Sequence, residues 1–289
     1  MRFEYYRKVK GGIVVRADLH MHSVHSDGTY TVKELVYYAK EKNLDVIALT
    51  DHDSMNGVLE AVMLGVKLGI KVIPGVELST FRNDESVHVL GYFNNDIPQE
   101  MLQYSIDIIR KRRERMLKMA QNCVDMHNLK VDINRLMSIK GTITRAHLIR
   151  ELEACNPEYT REEIALKFLQ EDCPAYIPST KISTEDGIKF LKSLNAIVVI
   201  AHPVLLKKND VNDLIKMGID GLEGIYPKNK EGDEEKFREL CKKHNLILTA
   251  GSDFHGVVDY SHGDLAYNVL EGKEVAEFLN RLGEKRESN

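Results

Sequence analysis

The chain has 289 residues, 43% of them hydrophobic and 29% charged, which is the composition of a globular protein with room for a sizeable core rather than of a disordered one. Its formal net charge of -4 excludes a surface built as a whole for nucleic acid or anionic membrane. No apolar run approaches the roughly 18 residues of a membrane span, and Met1–Tyr6 open no apolar signal segment, so a cytoplasmic protein is expected. Cys123, Cys155, Cys173 and Cys241 form no CxxC pair, and free, mostly buried thiols in a reducing compartment are expected.

Taken in order, Gly12-Ile13-Val14-Val15 reads as a first strand, being short, β-branched and bounded by glycine. It leads into Asp18-Leu19-His20-Met21-His22-Ser23-Val24-His25-Ser26-Asp27-Gly28, where alternate histidines on one face of extended chain make a metal platform. Thr31–Asn43 is a predicted helix, with Thr31 as cap and Glu34 completing a capping box. Leu44–Thr50 is a strand running into Asp51-His52-Asp53, and a helix follows over Ser54–Leu68. Lys71–Leu78 is a strand with Glu77 near its C-terminal end, and Ser86–Tyr92 is a strand carrying His88.

From about Asp96 to Thr180 no convincing strand appears. Apolar residues at helical spacing predict one long helix over Gln99–His127, with shorter ones at Ile133–Met137, Arg145–Ala154 and Arg161–Glu171. This stretch, 96–180, reads as a helical insertion into an α/β domain formed by 1–95 and 181–289. Alternation then resumes: helix Thr184–Leu194 capped by Ser183, strand Ala196–Pro203, helix Asp210–Met217, strand Gly221–Tyr226, helix Glu231–His244, strand Leu246–Gly256 and helix Lys273–Leu282. About seven strands linked by helices predict a parallel sheet. Its strand ends carry the candidate ligands, and convergence on one mouth favours an irregular seven-stranded barrel over an open sheet.

Six histidines (His20, His22, His52, His88, His202 and His255) fall at or just past predicted strand ends, each near an acid. Imidazole with carboxylate, and no cysteine, suits zinc, manganese or iron and not a structural thiolate zinc site. Asp51 and Asp53, flanking His52, read as residues that orient neighbours or cap a helix.

His20-x-His22, Thr50-Asp51-His52-Asp53, Pro74-Gly75-Val76-Glu77, His88 in His-Val-Leu-Gly-Tyr, Ala201-His202-Pro203 and Gly251-Ser252-Asp253-Phe254-His255 resemble, in order, the motifs of the PHP (polymerase and histidinol phosphatase) family. The resemblance implies a distorted (β/α)7 TIM-like PHP barrel, with the helical insertion covering an active site of up to three divalent metal ions, manganese, iron or zinc. It groups His20, His22, Glu77 and Asp253 on one metal, and Glu77 as a bridge with His88 and His202 on a second. Asp27, His52 and His255 take a third. Such a cluster lowers the pKa of a bridging water to give hydroxide and neutralises phosphoryl oxygens, so phosphoester hydrolysis would need no protein nucleophile. Asp253 would orient the water, and His202 or His255 would help move a proton.

Thr142-Ile143-Thr144-Arg145-Ala146-His147-Leu148 resembles a segment of the PHP subgroup acting on nucleoside 3′,5′-bisphosphates, related members of which trim short RNA from its 5′ end. Arg145, a fork of donors at a predicted helix N-terminus, suits phosphate, and His147 could contact the same group. Arg113, on the apolar stripe of its helix, and Lys181, where the insertion rejoins the barrel, are the other candidate phosphate contacts. The expected partner is thus a phosphorylated small molecule such as a nucleoside bisphosphate, with short RNA as a second, and no obligate protein partner or membrane. Histidinol-phosphate phosphatase and an inactive metal-binding scaffold are the alternatives. Arg145-x-His147 and Asp27 argue against the former, and the full ligand set against the latter.

Overall fold

A computed structural model describes residues 8–9, 12–94, 96–139, 143–178, 181–256 and 263–284. Thr142, at the start of the Thr142–Leu148 segment, lies outside the described residues. The chain divides into unit 1, Met1–Leu102 with Lys181–Asn289, and unit 2, Gln103–Thr180.

In unit 1 the strands are β1 (Lys8–Val9), β2 (Gly12–Ile13), β3 (Arg16–Asp18), β4 (Val46–Leu49), β5 (Lys71–Arg82), β6 (Glu85–Tyr92), β7 (Ile182–Ser183), β8 (Ile197–Ile200), β9 (Gly221–Ile225), β10 (Ile247–Ala250) and β11 (Leu270–Glu271). The principal sheet runs β10-β9-β8-β6-β5-β4-β3-β11. It closes where the chain beyond β3 meets the chain beyond β10. Leu19 N–H donates to the Ala250 carbonyl at 3.0 Å, Asp253 N–H to His20 at 2.9 Å and His22 N–H to Phe254 at 2.9 Å. Seven strands thus form a distorted barrel. β4, β8, β9 and β10 are buried at every residue, as strands covered on both faces must be.

Helices α1 (Val32–Glu41) and α2 (Val58–Leu68) follow β3 and β4. Thr31 caps α1 in the expected box: its hydroxyl accepts Glu34 N–H, and Glu34 accepts Thr31 N–H at 2.8 Å. α2 ends at Gly69, whose φ of 68° a side chain would resist. α7 (Thr184–Ser193), α8 (Val211–Lys216), α9 (Asp233–His244) and α10 (Lys273–Glu284) complete the unit.

Three expectations are corrected. The first barrel strand is β3, and Gly12–Ile13 instead pairs with Lys8–Val9 in a separate two-stranded ribbon. Local β-branching suggested the run around Val14, but pairing with Val46 and Ile47 selects Ala17 and Asp18. Second, the barrel sheet is not all parallel: β6 runs antiparallel to both β5 and β8. The cause is the two-residue turn Asn83-Asp84, both left-handed (φ 49° and 53°), which makes a hairpin where a parallel return would need a long crossover. Third, β5 continues to Arg82, so Glu77 sits inside it rather than at its end.

Unit 2 contains most of α3 (Gln99–His127), with α4 (Ile133–Met137), α5 (Arg145–Cys155) and α6 (Arg161–Phe168). It has its own apolar cluster, including Met116, Met119, Leu136, Leu148, Leu152 and Ile164. Glu151, nearly buried, accepts two bonds from Arg135, at 2.6 and 2.7 Å, which ties α4 to α5. Cys123 and Cys241 are buried, whereas Cys155 and Cys173 are half-buried.

Candidate metal centre

The nine predicted ligands converge in unit 1, around Glu77. Its Oε1 lies 2.9 Å from His88 Nδ1 and 3.1 Å from His202 Nε2. Its Oε2 lies 2.9 Å from His52 Nδ1 and 3.3 Å from both His20 Nε2 and His22 Nε2. Asp253 Oδ1 is 3.3 Å from His20 Nε2 and 3.1 Å from His22 Nε2. Asp27 Oδ1 is 3.2 Å from His255 Nε2, and its Oδ2 is 3.9 Å from His52 Nε2.

Three sets of ligand atoms each lie within 4.8 Å of one another: His20, His22, Glu77 and Asp253; His52, Glu77 and His88; and His22, Asp27, His52 and His255. The first is the grouping implied by the family motifs. In the second, His52 stands where His202 was placed, although His202 still faces Glu77. The third gains His22. His88 arrives from within the antiparallel β6, not from a strand end.

Neighbours set which ring nitrogen faces the cluster. The Asp253 carbonyl can only accept, so His255 Nδ1 donates to it (2.8 Å) and turns the Nε2 lone pair toward Asp27. Ser26 donates its hydroxyl proton to Asp51 (2.6 Å), so His22 Nδ1 donates to Ser26 (3.3 Å) and His22 Nε2 faces inward. His88 Nε2 sits 3.0 Å from the Ser86 hydroxyl, which also accepts from Lys181 at 2.6 Å, leaving Nδ1 for the centre. Asp51 further accepts the N–H and hydroxyl of Ser23, both at 2.7 Å, and Asp53 accepts Ser79 N–H at 2.8 Å. Both acids therefore brace the loops that carry ligands, as read from the sequence.

This is a collection of lone pairs aimed at one another. His20 Nε2 and His22 Nε2 are 3.1 Å apart, and Asp27 Oδ1 and Glu77 Oε2 are buried without a hydrogen bond. Cations satisfy such a set, and oxygen and nitrogen donors without thiolate suit divalent manganese, iron or zinc. The electrostatics agree. Burial pushes the carboxyls of Asp27, Glu77 and Asp253 upward, yet the surrounding imidazoles outweigh it and hold all three well below the usual range. Burial depresses His52, but Glu77 and Asp27 outweigh it and raise it to about 9. His20 likewise ends well above its ordinary value despite burial, through Glu223, Asp253 and Glu77. Burial prevails at His88, which falls to about 4. Protons here do the neutralising that divalent ions would take over.

Two participants gave no motif. Glu223, fully buried on β9, accepts from His20 Nδ1 (2.9 Å) and from His202 N–H (2.7 Å). Tyr226 donates its hydroxyl to Asp253 Oδ2 at 2.9 Å, leaving Oδ1 toward His20 and His22. The one available signal was an acid inside the otherwise uncharged run Gly221-Leu222-Glu223-Gly224-Ile225.

The predicted phosphate contacts are distributed. Lys181 belongs to unit 1, one serine away from His88. In unit 2, Arg145 donates to the Leu169 carbonyl (3.1 Å) and lies over the Tyr176 ring at 5.9 Å. His147 Nδ1 accepts Thr144 N–H at 3.0 Å and so caps α5. Arg113 donates to the carbonyls of Met137 and Ile139.

The chain is 26% identical over 246 residues to a phosphoribosyl 1,2-cyclic phosphate 1,2-diphosphodiesterase of Eggerthella lenta, covering 83% of this chain and 94% of that one. It is 28% identical to a 3′,5′-nucleoside bisphosphate phosphatase of Chromobacterium violaceum, covering 82% and 86%. Identity to the 5′-3′ exoribonuclease Rnm of Escherichia coli is 25%, covering 82% and 84%. A solved structure from Bifidobacterium adolescentis, assigned as a metal-dependent phosphoesterase, superposes with a TM-score of 0.79 at 26% identity, over 92% of this chain and 96% of that one. The PHP domain model matches residues 18–285, from Asp18 at the opening of the ligand loop to the end of α10, and the chain belongs to the PHP domain family.

Proposed function

We propose that this PHP-family metal-dependent phosphoesterase removes the 3′-phosphate from nucleoside 3′,5′-bisphosphates and also degrades short RNA from the 5′ end. The observation that carries the reading is Glu77, whose two oxygens face separate sets of imidazoles, so that two cations could share one carboxylate. His20, His22, Asp27, His52, Glu77, His88, His202, Asp253 and His255 would hold three divalent ions. Bound, these would supply charge neutralisation for the phosphoryl group and a water activated at neutral pH.

The chain's own part is orientation. Tyr226 fixes Asp253 so that Oδ1 can align an attacking water, and His255, its Nδ1 anchored, keeps Nε2 beside Asp27. His202 and His255 are the groups proposed to help move a proton, each able to do so only while its Nε2 holds no metal. Arg145, His147 and Lys181 are the proposed phosphate contacts. Arg113, which donates to two carbonyls as Arg145 does to one, is the fourth proposed contact. The Chromobacterium and Escherichia relatives support the two substrate classes. The Eggerthella relative favours a cyclic phosphodiester as a second reading.

The test is a substrate panel with the manganese-loaded protein: adenosine 3′,5′-bisphosphate, a 5′-phosphorylated short RNA, phosphoribosyl 1,2-cyclic phosphate and histidinol phosphate. Release of 3′-phosphate from the bisphosphate is expected to be fastest. Turnover confined to the cyclic diester or to histidinol phosphate would overturn the proposal.

A further inference from the structure

We propose that Glu223 is the positioning residue that locks two ligands of the centre, His20 and His202, from a strand that supplies no ligand itself. The inference rests on the metal-centre reading but not on the identity of the substrate.

Glu223 is fully buried, and both its oxygens are engaged. Oε1 accepts from His20 Nδ1, which leaves the Nε2 lone pair facing Glu77 and Asp253. A carboxylate behind a ligating imidazole fixes its tautomer and its ring plane and raises its donor strength. Oε2 accepts the backbone N–H of His202. That residue has φ 33° and ψ 56°, a left-handed conformation that a non-glycine residue holds only when its surroundings impose it. The bond from Glu223 pins this turn, and the turn brings His202 Nε2 to Glu77. One side chain therefore fixes a ring on one side of Glu77 and a backbone turn on the other.

The packing leaves Glu223 little freedom to do otherwise. A Cβ built on Gly251 would lie 2.2 Å from His20 Cβ and 2.5 Å from Glu223 Oε1, so the absence of a side chain there admits the pair. A glutamine cannot replace the carboxylate. Its single carbonyl accepts one of the two bonds, and its NH2 must then face either His202 N–H or His20 Nδ1. The first opposes two donors, and the second drives His20 to the tautomer whose Nε2 carries a proton.

The test measures zinc binding to the full-length chain by calorimetric titration and elemental analysis, with 15N spectra of the histidine rings in the zinc-loaded protein. In the wild type, His20 should be protonated at Nδ1 and coordinated through Nε2. Glu223→Gln should weaken zinc at the positions involving His20 or His202 by about 10- to 100-fold, while the ion at His22, Asp27, His52 and His255 keeps its affinity. Glu223→Asp, which retains the charge, should recover part of the loss. Unchanged zinc affinities in Glu223→Gln, or a wild-type His20 protonated at Nε2, would overturn the proposal. Should Glu223→Gln not fold, the wild-type ring spectrum decides alone. A wild-type chain that binds no zinc or manganese would instead refute the metal-centre reading beneath it.

Discussion

Replacing Glu77 by glutamine is the sharpest perturbation of the centre. The substitution keeps the volume of a fully buried side chain but removes the charge that five imidazole nitrogens face at 2.9–3.3 Å. Glu77 belongs to two of the three ligand sets and is absent from the third, His22, Asp27, His52 and His255. Two ions should therefore be lost or much weakened, and one should remain. An ion present at about 100 times its Kd stabilises the folded state by about 2.7 kcal/mol, so two such ions contribute about 5 kcal/mol. For a unit of this size, about 2–4 °C of Tm accompanies each kcal/mol, so roughly 10–20 °C of the metal-induced rise should vanish. Calorimetric scans of metal-free and manganese-loaded protein, paired with elemental analysis, measure both quantities. Phosphatase activity should fall by about two orders of magnitude or more. A variant that keeps the wild-type ion count and the whole metal-induced rise in Tm would refute the shared-carboxylate argument.

Further outcomes follow from the same geometry. Asp27→Asn should remove the complementary ion, leaving the Glu77 sets loaded, with elemental analysis as the check. In the metal-free protein His52 is raised from 6.5 to about 9, so its contribution to stability is complete below pH 6.5 and lost as pH climbs through about 9. Metal binding must displace that proton, so manganese affinity should rise over the same window, and titrations at pH 6.5 and 9 should show it. Gly251→Ala forces a methyl against His20 Cβ at 2.2 Å and should cost about 1–3 kcal/mol or more in denaturant melts. Burial raises the thiols of Cys123 and Cys241 to about 11 and about 12, so both should resist alkylation at pH 8 until the chain is unfolded.

What the sequence made legible was whatever lies in contiguous chain. His20-x-His22 is carried by a few residues of extended chain, so the shared direction of the two imidazoles could be read from spacing alone, whereas the left-handed Asp253 (φ 52°) breaks that rule in Asp253-x-His255. The α1 capping box was equally local. What stayed hidden depended on partners distant in sequence. The direction of β6 turns on Asn83-Asp84, whose left-handed pair looks like any polar loop until strand pairing is known. The exchange of His52 for His202 in the set around His88 reflects side-chain reach across the barrel mouth, on which strand order is silent. Glu223 is 203 residues from His20 and 21 from His202, so no motif could contain the three.

The antiparallel direction of β6 also decides how His88 reaches Glu77. Had β6 followed β5 as another parallel strand, a crossover would have separated them, and the histidine of β6 would have met the mouth at its C-terminal end. The hairpin instead sets His88 opposite Ser79, two residues beyond Glu77 on β5. From there His88 approaches Oε1 of Glu77, while His20, His22 and His52, carried by the chain following β3 and β4, approach Oε2. A carboxylate whose two oxygens face different imidazoles can hold one cation at each. His88 of the antiparallel strand and His202, carried by the chain after β8, face one oxygen, and the chain after β3 and β4 faces the other, so the irregularity of the barrel contributes one of the two imidazoles on the Oε1 side.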